Sequence, residues 1–172
     1  MEALLQQASE LRQNGKVDVV QLARKVGIEV KPSSKVADVF MEASAYIKKE
    51  PEGYVIYVNA DHSKQRQRFS IAHEIAHFHL HKDQLDAIGQ LDRDGAMSLG
   101  VKEEEKADEL ASEILMPQDD IADILKRAGI TQTILISRKQ IEVLCERYDV
   151  SFFAMIVKLR SLSYYVPYIS VY

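Results

Sequence analysis

The chain has 172 residues, 47% of them apolar and 28% charged, with few glycines and prolines; this suits one domain, or a main domain with a small appendage, and excludes a disordered chain. A formal charge of -4 argues against general polyanion binding. Cys145 is the single cysteine, which excludes an intrachain disulfide; the opening "MEALLQQASELRQNG" lacks a signal-peptide core and no apolar run approaches the ~18 residues of a membrane span, so a soluble, cytoplasmic protein is expected.

In chain order, residues 2 to 13 carry Leu4, Leu5, Ala8 and Leu11 at helical spacing and stop at Asn14-Gly15. "DVVQLARKVGI" predicts a second helix, with Asp18 as N-cap, Val19, Leu22, Ala23 and Val26 on one face, and Gly27 as the stop. "IEVKP" reads as a short strand or extended exit. In "ASAYIKKEPEGYVIYVNA" two β-prone runs flank Pro51-Glu52-Gly53, a hairpin signal. The second run is apolar on nearly both faces, so both are expected to be covered. Asp61 or Ser63 then caps a long helix that carries the histidines.

Residues 82 to 100 show no clean period and read as a loop. "VKEEEKADELASEILMP" predicts a helix stopped by Pro117, which opens the next, "PQDDIADILKRAG". Two more helices, "SRKQIEVLCERY" and "SFFAMIVKLRSL", join at Asp149-Val150, and the β-prone tail "YYVPYISVY" has no evident place. The pattern is that of an α+β fold with a small sheet.

Within "RFSIAHEIAHFHLH", His73, Glu74 and His77 stand in the spacing His-Glu-x-x-His. With His73 at zero on a helical wheel, His77 falls at about 40° and Glu74 at about 100°. Phe69, Ala72, Ala76 and Leu80 form an apolar stripe beside them rather than opposite. Two imidazoles at i and i+4 converge on one tetrahedral Zn²⁺. Glu74 lies too far round to ligate and is placed as a general base for a water that the metal acidifies. His79 points toward the apolar side and reads as packed or capping. His81 follows the ligand face one turn on, too far along the axis to ligate, and reads as a helix-end cap.

A catalytic zinc takes three protein ligands. A third histidine six residues after the second, with Gly three after it, is ruled out by Asp83 and Leu80. The remaining source is a carboxylate of the acidic helix. With Glu104 as reference, Ala107, Asp108, Ala111, Ile114 and Leu115 share its buried face, whereas Glu105, Glu109 and Glu113 point to solvent. This selects Glu104 as metal ligand, with Glu103 as its rival at the edge of that face. Asp108, one turn on, can accept from the free ring nitrogen of a ligating histidine. Mn²⁺ or Fe²⁺ can occupy similar ligands.

Together, "RQRFSIAHEIAHFHLH" and "EEEKADELASEILMP" resemble the ImmA/IrrE family of metallopeptidases, and "VDVVQLARKVGIEV" and "VIYVNADHSKQRQRFSIAHE" extend the likeness over most of residues 17 to 117. The resemblance implies a zincin-like core over residues 1–130, an active-site helix bearing the His-Glu-x-x-His residues, and Glu104 as the carboxylate ligand. Asp108 stands where the family usually has Asn, Lys106 where a second acid is common, and Leu110 where Phe is usual. Residues 131–172, containing "QIEVLCERYDVSFFAMIVKLRSL", resemble the family's helix-turn-helix-like tail.

The implied activity is a zinc-dependent endopeptidase, and the implied substrate is a helix-turn-helix repressor in a mobile-element, stress or toxin–antitoxin circuit. Residues 137 to 160 hold five basic and three acidic side chains, a poor basis for direct nucleic-acid binding, so docking of the repressor is expected there. The alternative is a non-proteolytic regulatory binding protein, or toxin–antitoxin component, with a structural or vestigial metal site.

Overall fold

The computed structural model describes residues 1–34, 43–92 and 100–167. Among them the order is α1 (Glu2–Glu10), β1 (Arg12–Gln13), β2 (Lys16–Val17), α2 (Val19–Lys25), β3 (Ile28–Ser33), β4 (Ala45–Glu50), β5 (Gly53–Asn59), α3 (Lys64–Ile88), β6 (Gln90–Asp92), α4 (Val101–Leu115), α5 (Gln118–Arg127), α6 (Arg138–Tyr148) and α7 (Phe152–Ser161). The α+β expectation holds.

The main sheet has the order β3-β5-β4-β6. β3 runs parallel to β5, and β4 is antiparallel to both β5 and β6. The Pro51-Glu52 connection closes the expected hairpin, with Glu50 paired to Gly53. In β5 Val55, Ile56, Val58 and Asn59 are buried while Tyr54 and Tyr57 are half-buried, so the strand is covered on both faces as expected. Helix α3 packs on β4 and β5, and α4 packs on α3. One hydrophobic cluster runs from Leu4 through Ile47, Ile75 and Ile114 to Leu144 and Leu159.

Short-range capping sets most boundaries. Asp18 accepts from the amides of Val20 and Gln21 at the start of α2, and Ser63, not Asp61, caps α3 by accepting from Arg66. Ser137 and Gln140 form a reciprocal capping box on α6. Pro117 occupies the N-cap of α5, as its position after α4 predicts.

Two expectations are corrected, and the tail finds its place. The first helix ends at Glu10 rather than at residue 13, because Arg12–Gln13 pairs with Lys16–Val17. Asn14 and Gly15, at φ 51 and 89, form its two-residue turn. The predicted loop from 82 is helical to Ile88: the chain bends at His81, the one residue of α3 with non-helical dihedrals (φ -131, ψ 27), and continues to a left-handed Gly89. Leu85, fully buried, holds that continuation, and Gln90–Asp92 then pairs with β4 as a sheet edge. Residues 93–99 of that expected loop lie outside the described residues. In the β-prone tail, Tyr164 to Pro167 form no strand; the Ile136 amide donates to the Tyr165 carbonyl and Val166 is buried, while 168–172 lie outside the described residues.

Two arginines tie these pieces together. Arg12 donates from Nη1 to the Gly15 carbonyl (2.7 Å) and the Leu115 carbonyl (3.0 Å), and from Nη2 to that of Ile114 (2.5 Å). It thereby answers carbonyls at the end of α4 that have no partner within the helix. Arg68 donates to the carbonyls of Val17, Tyr148 and Asp149, joining α3 to β2 and to the end of α6.

Candidate metal centre

Every residue of α3 from Ser70 to His77 is buried. The expected single apolar stripe is therefore incomplete: Ile71 and Ile75, opposite the histidines, are as hidden as Ala72 and Ala76. Sheet and helices enclose this part of α3 from several sides, so its polar groups sit where water is scarce. His73, Glu74 and His77 are each no more than 2% exposed.

α4 brings the carboxylates. Ala107 and Ala111 are fully buried and small enough for close approach to α3. His73 Nε2 lies 3.1 Å from Glu104 Oε2, His77 Nε2 lies 3.3 Å from the same oxygen, and the two Nε2 atoms are 2.9 Å apart. For ligands held tetrahedrally at 2.0–2.1 Å from Zn²⁺, the edge between two ligand atoms is about 3.3 Å. The three separations, 2.9, 3.1 and 3.3 Å, thus lie at that figure or a few tenths of an ångström inside it, and His73, His77 and Glu104 form a group able to hold a metal ion. The rival Glu103 curls back instead, so that a Cβ on Gly100 would meet its Oε2 at 3.5 Å.

Asp108 stands on the other side of His73, with Oδ1 2.9 Å from Nδ1. A carboxylate there favours a proton on Nδ1 and leaves the Nε2 lone pair facing His77 and Glu104. With the proton of His77 on Nδ1 as well, three acceptors converge, an arrangement that a bound cation would satisfy. The titration reflects this convergence. Burial alone lowers His73, but Asp108 and Glu104 outweigh it and carry the ring up to about 9. Burial raises Glu104, yet its bonds to His73 and His77 pull it down to about 2. Two imidazoles with one carboxylate suit zinc, and also Mn²⁺ or Fe²⁺. Glu74 is not in this group, but its charge acts on His73.

Other expectations fare unevenly. His79 is exposed rather than packed, and Leu80 is 37% exposed, because the stripe leaves the core where the helix bends. His81 does not end the helix; its ring lies 5.5 Å, centroid to centroid, from that of His77. Glu113 does not point freely to solvent but accepts from Lys158 Nζ at 2.7 Å and from the Gln118 amide. Lys158, 7% exposed, was not singled out in the sequence, since its partner is 45 residues away. Tyr54 bonds to Asp86 and Lys82, Tyr57 to Glu50, and Arg66 to Ser44.

Beside Asp108 opens a groove of about 730 Å³, lined among others by Arg66, Phe69, Met116, Phe153 and Val157. Phe153 and Val157 on α7 are 60% and 49% exposed. Their signal in the sequence was slight, an apolar residue on the outer side of an already apolar helix.

The sequence matches the Peptidase_M78 family, described as the IrrE N-terminal-like domain, over residues 16–160. Among solved structures, a Mycobacterium tuberculosis transcriptional regulator is similar with a TM-score of 0.59 at 19% identity, a likeness of fold that covers 92% of this chain. The chain spans 45% of that regulator's length. No curated protein matches the chain in sequence.

Proposed function

The chain belongs to the IrrE N-terminal-like family, and from that premise we propose that it is a zinc-dependent endopeptidase that cleaves a specific regulatory protein in the cytoplasm. The observation that carries this reading is the convergence of His73, His77 and Glu104 with buried Glu74 alongside. His73, His77 and Glu104 would hold the zinc, which would supply Lewis acidity toward a carbonyl and a water. Glu74 takes a proton from the attacking water and passes it to the leaving amine. Asp108 holds His73 in the tautomer that leaves Nε2 free, and the surrounding core keeps bulk water from the ligands. The substrate peptide adds to an edge of the small sheet, and the groove beside Asp108 receives its apolar side chains.

The substrate we propose is a helix-turn-helix repressor, docked by the tail over residues 131–172, with no direct nucleic-acid contact. A regulatory rather than digestive role is supported by the structural neighbour, itself a transcriptional regulator. The same neighbour favours one alternative, a non-proteolytic regulatory protein whose metal site is structural. Among the described residues no helix is long and apolar enough to cross a membrane.

Elemental analysis of wild type and Glu104→Ala tests the metal, with about one zinc per chain expected in the first and loss in the second. Incubation with a candidate repressor then separates the two readings. Proteolysis that disappears in Glu74→Gln supports the enzyme. A biological effect that survives unchanged in that variant, with zinc still bound, supports the binding protein.

A further inference from the structure

The two histidines of the metal centre are not equally supported. His73 has Asp108 on its outer nitrogen at 2.9 Å. His77 has none: its Nδ1 is buried and meets no hydrogen-bond partner among the described residues. A ligating imidazole ordinarily donates its other N–H to an acceptor, which fixes ring and tautomer. An unanswered buried N–H gives up its hydration with nothing in return.

A second orphan lies one turn on. His81 Nε2 is also buried and without a partner, and its ring stands 5.5 Å from that of His77 at an interplanar angle of 46°. The backbone of Glu103 acts on the His81 ring in the direction that favours a proton there, and with Nε2 unanswered the nitrogen left to carry that proton is Nδ1. The two orphans are complementary. With Nε2 of His77 turned to the ligand group, its Nδ1 carries the proton and is a donor. With the proton of His81 on Nδ1, its Nε2 is an acceptor. The bend of α3 falls at His81 itself, so the backbone departs from helical geometry where this ring is placed.

We infer that His81 is a positioning residue for the metal centre: one bridging water accepts from Nδ1–H of His77 and donates to Nε2 of His81, so that His81 does for His77 what Asp108 does for His73. This rests on the metal-binding reading proposed above. It also relates the ligand set to the start of α4, because the backbone of Glu103, the neighbour of the ligand Glu104, acts on the His81 ring. One ring thus joins a histidine ligand to the segment that presents the carboxylate.

The experiment is zinc titration against a competing chelator, with the full chain as wild type, His77→Ala, His81→Ala and His81→Gln. Removing such a support typically costs 10- to 100-fold in metal affinity. We expect His81→Ala to lose about tenfold or more and His81→Gln, whose amide keeps an acceptor at the ε position, to recover most of it. Co²⁺-loaded His81→Ala should show ligand-field bands displaced from those of wild type.

His81→Ala binding zinc within about threefold of wild type overturns the inference, as does His81→Gln no better than His81→Ala. If the alanine variant does not fold, wild type alone still decides: long-range ¹⁵N–¹H spectra of the zinc-loaded protein should place the His81 proton on Nδ1, and a proton on Nε2 overturns the assignment. Failure of the metal reading looks different. There wild type binds zinc no better than His77→Ala, and both readings fall together.

Discussion

The two ends of α4 each gather buried polar groups, and they do so in opposite ways. At its C-terminus Arg12 donates to the carbonyls of Gly15, Ile114 and Leu115, so donors meet acceptors and the cluster closes on itself. In its N-terminal half Glu104 meets His73 and His77, so that two ring nitrogens and a carboxylate oxygen face one another. The first arrangement is complete with side chains and backbone alone; the second is a group able to hold a metal ion. Burial of polar groups is common to both, and the convergence of three metal-ligating side chains is what distinguishes the second from a structural tie.

Glu74→Gln presses hardest on the second cluster. Cleavage of the cognate substrate should fall about 10²–10⁴-fold while stoichiometric zinc is retained. Undiminished cleavage by that variant would sink the mechanism. Next, Asp108→Ala removes the acceptor on His73 and should weaken zinc roughly 10- to 100-fold in a chelator competition. An unaltered affinity would take Asp108 out of the site.

Arg12→Met tests the other end. Three carbonyls lose a charged donor, which should cost about 2–3 kcal/mol and lower the melting temperature of a chain this size by roughly 4–12 °C. Zinc affinity should stay put, and a fall in affinity would mean that the two ends of α4 are coupled. Gly15→Ala strains the same corner, because φ is +89 and a Cβ would meet the Arg147 carbonyl oxygen at 2.6 Å. A loss of about 1 kcal/mol or more is expected from denaturant unfolding, and a stabilised variant would show that the turn relaxes. The smallest effect concerns Cys145, whose thiol burial pushes up to about 11. Thiolate is therefore scarce at pH 7, and the native protein should alkylate far more slowly than the unfolded chain. Equal rates would place the thiol in open solvent.

Much of the fold was legible because it depends on near neighbours. Asp18 reaches amides two and three residues on, Ser137 and Gln140 answer each other across one turn, and Glu50 pairs with Gly53 around two residues. The grouping of His73, His77 and Glu104 was legible for a related reason. Helical spacing sets which side chains share a face, and an acidic residue on an otherwise apolar face needs a partner. The Asp108 contact with His73 follows from that same face, one turn after Glu104.

Other features have no local cause. Residues 82–88 lack a clean period, yet they stay helical because Leu85 is enclosed by the core, and Gln90–Asp92 becomes a strand only because β4 offers it an edge. Arg12 and Arg68 look like ordinary surface charges until carbonyls about 50 to 103 residues away are brought to them. The orphaned nitrogens of His77 and His81 likewise exist only once the rings are enclosed and compared with what surrounds them. By itself the sequence determined which residues could bind a metal and on which helical faces they lie, since those are matters of spacing along one element. Which buried groups are answered and which are left with lone pairs was decided by the tertiary structure alone, because hydrogen-bond satisfaction depends on what the rest of the chain delivers to the same point.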